Sequence, residues 1–173
     1  MQFVSDACNN IVKNCDLRGT YAGYMGVIFI GSGTTSGNNY NIIDNCNIHE
    51  SSGGNPQFGV YALGLSAPAD NKGFVIKSCN IYNFFRDDSY VDAGIYIKSG
   101  NTDFTIGGAG TGNSIYQLST CTYTNATNHF GIAINNSSGN NFNIRDNYIG
   151  GSDPNCGSSS QKWVINGSVA NVF

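Results

Sequence analysis

The ten residues NIIDNCNIHE (Asn41–Glu50) return almost unchanged as FVIKSCNIYN (Phe74–Asn83), and an earlier copy reads NIVKNCDLRG (Asn10–Gly19). Cys15, Cys46 and Cys79 hold one place in these copies. In two later copies, FTIGGAGTGNSIYQ (Phe104–Gln117) and FNIRDNYIGG (Phe142–Gly151), Asn113 and Asn147 stand there instead. A second motif alternates with the first: GVIFI from Gly26, GVYAL from Gly59, GIYIK from Gly94 and GIAIN from Gly131, with successive glycines 33, 35 and 37 residues apart. QFVS near the start and KWVING (Lys162–Gly167) read as outer members of this series. A period of this size signals a solenoid, in which each repeat buries its apolar face only against its neighbours.

Strands build the repeat. Ile95/Ile97 and Ile132/Ile134 alternate with a period of two. The 23 glycines and abundant Asn, Ser and Thr favour short strands and tight turns, while good helix formers are scarce and Glu50 is the only glutamate. Units this short, without regular Asn-Gly hairpins, stack as parallel strands rather than as propeller blades. The expected fold is an all-β, right-handed parallel β-helix of about five coils, with three short strands per coil. It forms a single domain over 1–173, with coils near 1–24, 25–57, 58–92, 93–129 and 130–162 and a partial coil at 163–173.

The stretches GIYIKSGNTDFTIGG…NSI, GVIFIGSGTTSGNNYNIIDNCNI and GIAINNSSGNNFNIRDNYI resemble the parallel β-helix repeat of the pectate-lyase-like superfamily. That resemblance implies a ladder of stacked side chains at one bend of the coil, here Cys15, Cys46, Cys79, Asn113 and Asn147, with cysteine as a small, buryable substitute for Asn. The rows Val12/Ile43/Ile76/Ile106/Ile144 and Leu17/Ile48/Ile81/Ile115/Ile149 would then face inward. Lys13, Asp44, Lys77 and Arg145 would face outward, the first three alternating in sign as paired neighbours do.

A straight thiol ladder lacks the tetrahedral geometry that zinc requires, so no metal is expected there. Cys121 and Cys156 lie six and seven residues beyond Ile115 and Ile149, in loops of adjacent coils, and a disulfide between them is expected. Cys8 has no evident partner.

The densest acidic group is Asp87, Asp88 and Asp92, in FFRDDSYVDAGIYIKSG. Paired carboxylates are what an inverting glycosidase needs, and the segment resembles the polygalacturonase-type motif in which Asp-Asp precedes a strand. The Gly-His-Gly and Arg-x-Lys motifs of that family are missing here. The same loop is a candidate Ca²⁺ site, no other cofactor being expected. Tyr82, Phe85, Tyr90, Tyr116 and Tyr123 crowd this loop and the next, and are candidates for stacking on sugar rings. His49 and His129 have no partner at a triad-like spacing.

The net charge of -3, with only 11% charged residues, carries no nucleic-acid footprint, and no apolar run reaches the ~20 residues of a membrane-spanning helix. The opening MQFVSDACNNIVKNC is not a signal peptide, and we expect the natural chain to extend further. Neither end supplies a polar cap, so flanking coils or another protein are expected there. These features favour a non-catalytic extracellular module of a secreted or cell-surface protein, with a structural, adhesive or glycan-contacting role. The alternative is a polysaccharide lyase or glycoside hydrolase acting, on acidic polysaccharide, through the Asp87/Asp88/Asp92 loop.

Overall fold

The computed structural model describes residues 1–20, 22–125, 127–157, 163–165 and 171–172. Every pairing between its strands is parallel, and equivalent strands stack from coil to coil into three long sheets. The first sheet contains β1 (Gln2–Phe3), β4 (Ile28–Ile30), β7 (Phe58–Ala62), β11 (Asp92–Ile97), β16 (Asn128–Ile134) and β20 (Asn171–Val172). The second stacks β2 (Ile11–Lys13), β5 (Ile42–Asp44), β9 (Val75–Lys77), β13 (Thr105–Gly107) and β17 (Asn143–Arg145). The third stacks β3 (Asp16–Gly19), β6 (Asn47–Glu50), β10 (Asn80–Tyr82), β14 (Ser114–Tyr116) and β18 (Tyr148–Ile149). Two short pairs, β8 (Asn71–Lys72) with β12 (Asn101–Thr102) and β15 (Cys121–Tyr123) with β19 (Trp163–Ile165), stand at the corners. The result is the expected all-β parallel solenoid, over about four turns. The helical element among the described residues is one 3-10 turn, Pro154–Cys156.

The repeat fixes the register. Val12, Ile43, Ile76, Ile106 and Ile144 are successive Cα partners, as are Leu17, Ile48, Ile81, Ile115 and Ile149. The middle members of both rows are fully buried. Removing such a side chain from water stabilises by about 1.5–3 kcal/mol, and these stacks repeat that gain on each coil. One strand expectation changes: Trp163–Ile165 pair with β15 rather than joining the first sheet, where β20 follows β16. The flanking Lys162 and residues 166–167 of KWVING lie outside the described residues.

Three of the four glycines that open the first-sheet motifs share a steric cause. A Cβ on Gly59, Gly94 or Gly131 would come within 2.5, 2.7 or 2.5 Å of the Cγ2 atom of Ile81, Ile115 or Ile149. The corner between the first and third sheets therefore closes only over glycine. On the residues after it, Val60/Ala62 and Ile95/Ile97 face the core, while Tyr61 and Tyr96 lie in an outer cluster.

The corner between the second and third sheets carries the predicted ladder. Cys79 N–H donates to Asn113 Oδ1 at 3.0 Å, and Asn113 Nδ2 donates to Asn147 Oδ1 at 2.9 Å and to Ile76 O at 2.9 Å. Just before it, Asn14, Asn45, Ser78 and Asp146 adopt positive φ, which makes the sharp bend. A second ladder, Asn38–Asn71–Asn101, links coils at another corner through amide bonds of 3.0 and 2.9 Å. Outside the second sheet, Asp44 meets Lys13 at 2.8 Å and Lys77 at 3.9 Å, the expected alternating row. The lysines are exposed or half-exposed while Asp44 is nearly buried between them. The row is thus a partly shielded ion-pair ladder rather than the fully solvated one expected of an outer face.

Candidate functional site

The segment Asn83–Val91 joins β10 to β11 and carries the acidic group into three different environments. Asp87 accepts hydrogen bonds from Thr124 N at 2.7 Å, Asn125 N at 3.0 Å and the Thr124 hydroxyl. These donors on the next coil, the hydroxyl first, hold its carboxyl down at about 2. Asp88 accepts from Arg86 Nε at 3.0 Å and Tyr90 N at 2.9 Å. Asp92 has turned inward from the start of β11 and is 0% exposed.

Asp92 belongs to a buried polar cluster. It is the Cα partner of His129 on the next coil, with Oδ2 3.8 Å from His129 Nδ1 and 3.1 Å from the donating Arg86 N–H. Tyr123, also fully buried, places its hydroxyl on His129 Nδ1, and the Phe84 ring stacks on the imidazole at 5.2 Å. Burial pushes the Asp92 carboxyl up to about 8 and the His129 imidazole down to about 3. Burial likewise raises Tyr123, and raises the neighbouring Cys121 to about 12. Both shifts favour the uncharged forms, a protonated acid beside a neutral imidazole, although the spacing falls within ion-pair range. Neither charge survives the loss of water.

The three aspartates therefore do not assemble a free carboxylate pair. Asp87 and Asp88 do line a recess of about 290 Å³ with Gly54, Asn55, Phe85 and Arg86. Among the described residues, no three His, Cys, Asp or Glu side chains are grouped to hold a metal ion.

The candidate sugar-stacking rings divide by burial. Tyr123 is 0% and Tyr116 5% exposed, while Tyr90 is 56% exposed. Tyr82 is half-buried between His49 and Tyr116, stacked on each at 4.5 and 5.1 Å. His49 in turn lies 2.7 Å from Asp16 and 3.3 Å from Glu50. Phe85, also half-buried, turns its ring onto Tyr123 in a T-shaped contact at 4.8 Å.

A larger aromatic wall lies on the outer face of the first sheet, where Phe29, Tyr61, Tyr96 and Ala133 are successive partners. Tyr24, 54% exposed, lies over Phe58 and Tyr61, with the Tyr90 ring at 6.5 Å and Lys98 Nζ 5.8 Å from its centre. Sequence reasoning assigned this wall no role. Its signal was present, because Phe29, Tyr61 and Tyr96 occupy the outward slot between two inward aliphatics.

The expected Cys121–Cys156 disulfide is not formed: all six cysteines are free thiols. Spacing placed both residues in facing loops. Instead Cys121 begins β15 and is buried, while Cys156 lies exposed in the 3-10 turn, which packs on β14 and β18.

The chain matches no known protein family, no curated protein and no solved structure.

Proposed function

We propose that this chain is a non-catalytic β-solenoid module of a secreted or cell-surface protein, and that its outer faces contact glycans. The observation that carries this reading is the commitment of Asp87, Asp88 and Asp92 to structural work. The first is bound to Thr124 and Asn125, the second to Arg86 and Tyr90, and the third is buried, which pushes its carboxyl up. A glycosidase needs an accessible acid that keeps its proton opposite an accessible carboxylate. Here the Thr124 and Asn125 donors hold exposed Asp87 down at about 2, while Asp92, the carboxyl that is pushed up, is buried. Half-exposed rings at Tyr24 and Tyr90, the first with Lys98 Nζ over it, supply apolar platforms with a polar edge, the surface a sugar chain requires. Kinship with the pectate-lyase-like superfamily, extracellular location and flanking coils or a partner protein at the solenoid ends belong to the same proposal.

A hydrolase or lyase is the second reading, favoured by the recess beside Asp87 and Asp88. Incubation with neutral and uronate polysaccharides, with and without Ca²⁺, separates the two. We expect binding without product, and binding weakened by Tyr24→Ala. Product formation abolished by Asp88→Asn would replace the first reading with the second.

A further inference from the structure

The third sheet's corner swells on one coil. Six residues separate Gly107 of β13 from Ser114 of β14, where only two separate their partners Arg145 and Tyr148 on the next coil. The four extra residues turn outward, closed by Thr111 N–H donating to Gly108 O at 2.8 Å and tied to the preceding coil by Ser78 N–H donating to Thr111 O at 2.9 Å. The loop then returns hard against the next coil, since a Cβ on Gly112 would lie 1.7 Å from Asp146 O. From the other side comes the 3-10 turn, anchored by Asn155 N–H donating to Ser114 Oγ at 2.9 Å.

Between these walls is a recess of about 510 Å³ lined by Ala109, Gly110, Gly112, Asp146, Asn147, Tyr148 and Asn155. That volume lies within the roughly 300–1,000 Å³ of small-molecule sites. Asn147 is already engaged in the corner ladder. Three groups remain for a ligand. The Tyr148 ring is 45% exposed. The Asp146 carboxylate is exposed and meets no protein donor among the described residues. The exposed Asn155 side chain has only its Oδ1 engaged, 3.4 Å from Ser114 Oγ, so its amide hydrogens are available.

We propose that this recess binds one pyranose ring of a neutral or amino sugar. The ring's C–H face packs on Tyr148, since polarised C–H bonds favour the electron-rich aromatic face. Its hydroxyls donate to Asp146 in charge-assisted bonds and accept from Asn155. No Lys or Arg lines the recess, and the unpaired carboxylate repels an anion, so uronate residues are excluded. This assignment rests on the glycan-binding reading above and gives it a defined subsite and a charge preference.

The test is saturation-transfer NMR and titration of the intact chain with methyl glycosides of glucose, galactose and mannose, with glucosamine and glucuronate as charged counterparts. A polysaccharide panel is run in parallel. We expect binding of neutral or amino sugars, no binding of glucuronate, and about tenfold weaker binding in Tyr148→Ala and Asp146→Asn with an unchanged circular dichroism spectrum. Wild-type binding that both variants retain, or a preference for glucuronate, overturns the subsite and leaves the broader reading standing. No binding to any sugar or polysaccharide overturns both.

Discussion

Asp92 and His129 are direct neighbours on adjacent coils, both fully buried, and burial drives their pKa values past each other, to about 8 and about 3. Two groups that would attract as ions in water are held neutral by a dry interior. The consequence is a pH profile with a flat centre. Asp92, raised from 3.8, keeps its proton in the fold while the unfolded chain loses it, so stability falls as pH rises from about 4 to 8. His129, lowered from 6.5, is protonated only in the unfolded chain, so stability rises from about pH 3 to 6.5. The slopes cancel between about 4 and 6.5, leaving a loss of roughly 2 kcal/mol from there to pH 8. Urea unfolding across this range should show that loss in the native chain. Asp92→Asn, which preserves the acceptor for Arg86 N–H, should abolish it.

Gly94→Ala should destabilise by about 1–3 kcal/mol, since the added methyl meets Ile115 Cγ2 at 2.7 Å and Gly131 O at 2.8 Å. The comparison is Gly54→Ala, where nothing lies within 4 Å but φ is +134°. Pairing Gly94→Ala with Ile115→Ala, which removes the opposing Cγ2 atom, should cost less in denaturant titrations than the sum of the two single changes. Full additivity of the two would refute the steric account.

Asn113→Ala removes the acceptor for Cys79 N–H and the donors to Ile76 O and Asn147 Oδ1 at a buried corner. Leaving such groups unpaired costs about 1–3 kcal/mol each, so this variant should be among the most destabilised of the solenoid. Cys79→Asn should be tolerated. The incoming amide can reach Ile43 O, which now receives the thiol at 3.8 Å, as Asn113 reaches Ile76 O.

Thiol labelling should follow burial. Cys156 is exposed and should react with iodoacetamide in the native state, whereas burial raises Cys79 and Cys121 to about 12 and withholds the reactive thiolate. Mass spectrometry after native and then denaturing alkylation should find Cys79 and Cys121 labelled only in the second step. A Cys121–Cys156 disulfide in the native protein would contradict the placement of Cys121 in β15.

The walls of the solenoid were readable in the sequence because translation from coil to coil repeats the same side chains. Ile43 and Ile76 are partners for the same reason that NIIDNC resembles FVIKSC. Loops do not repeat, and there the reading weakened. Nothing in RDDSYVD distinguishes the solvated Asp87 from the buried Asp92, because Asp92 is enclosed by groups distant in the repeat, among them His129 on the next coil. Tyr123 was misplaced for the same reason: β15 forms only by pairing with β19, outside the periodic walls. The recess at Tyr148 follows from a length difference at one corner, visible in the sequence only after the coils are aligned.

That corner shows how such a chain can diversify. Four additional residues enter between Gly107 and Ser114, yet the strands on both sides keep their partners above and below. Wall and corner are mechanically decoupled, so a foreign peptide spliced between Gly108 and Thr111 should be displayed without disturbing the scaffold that carries it.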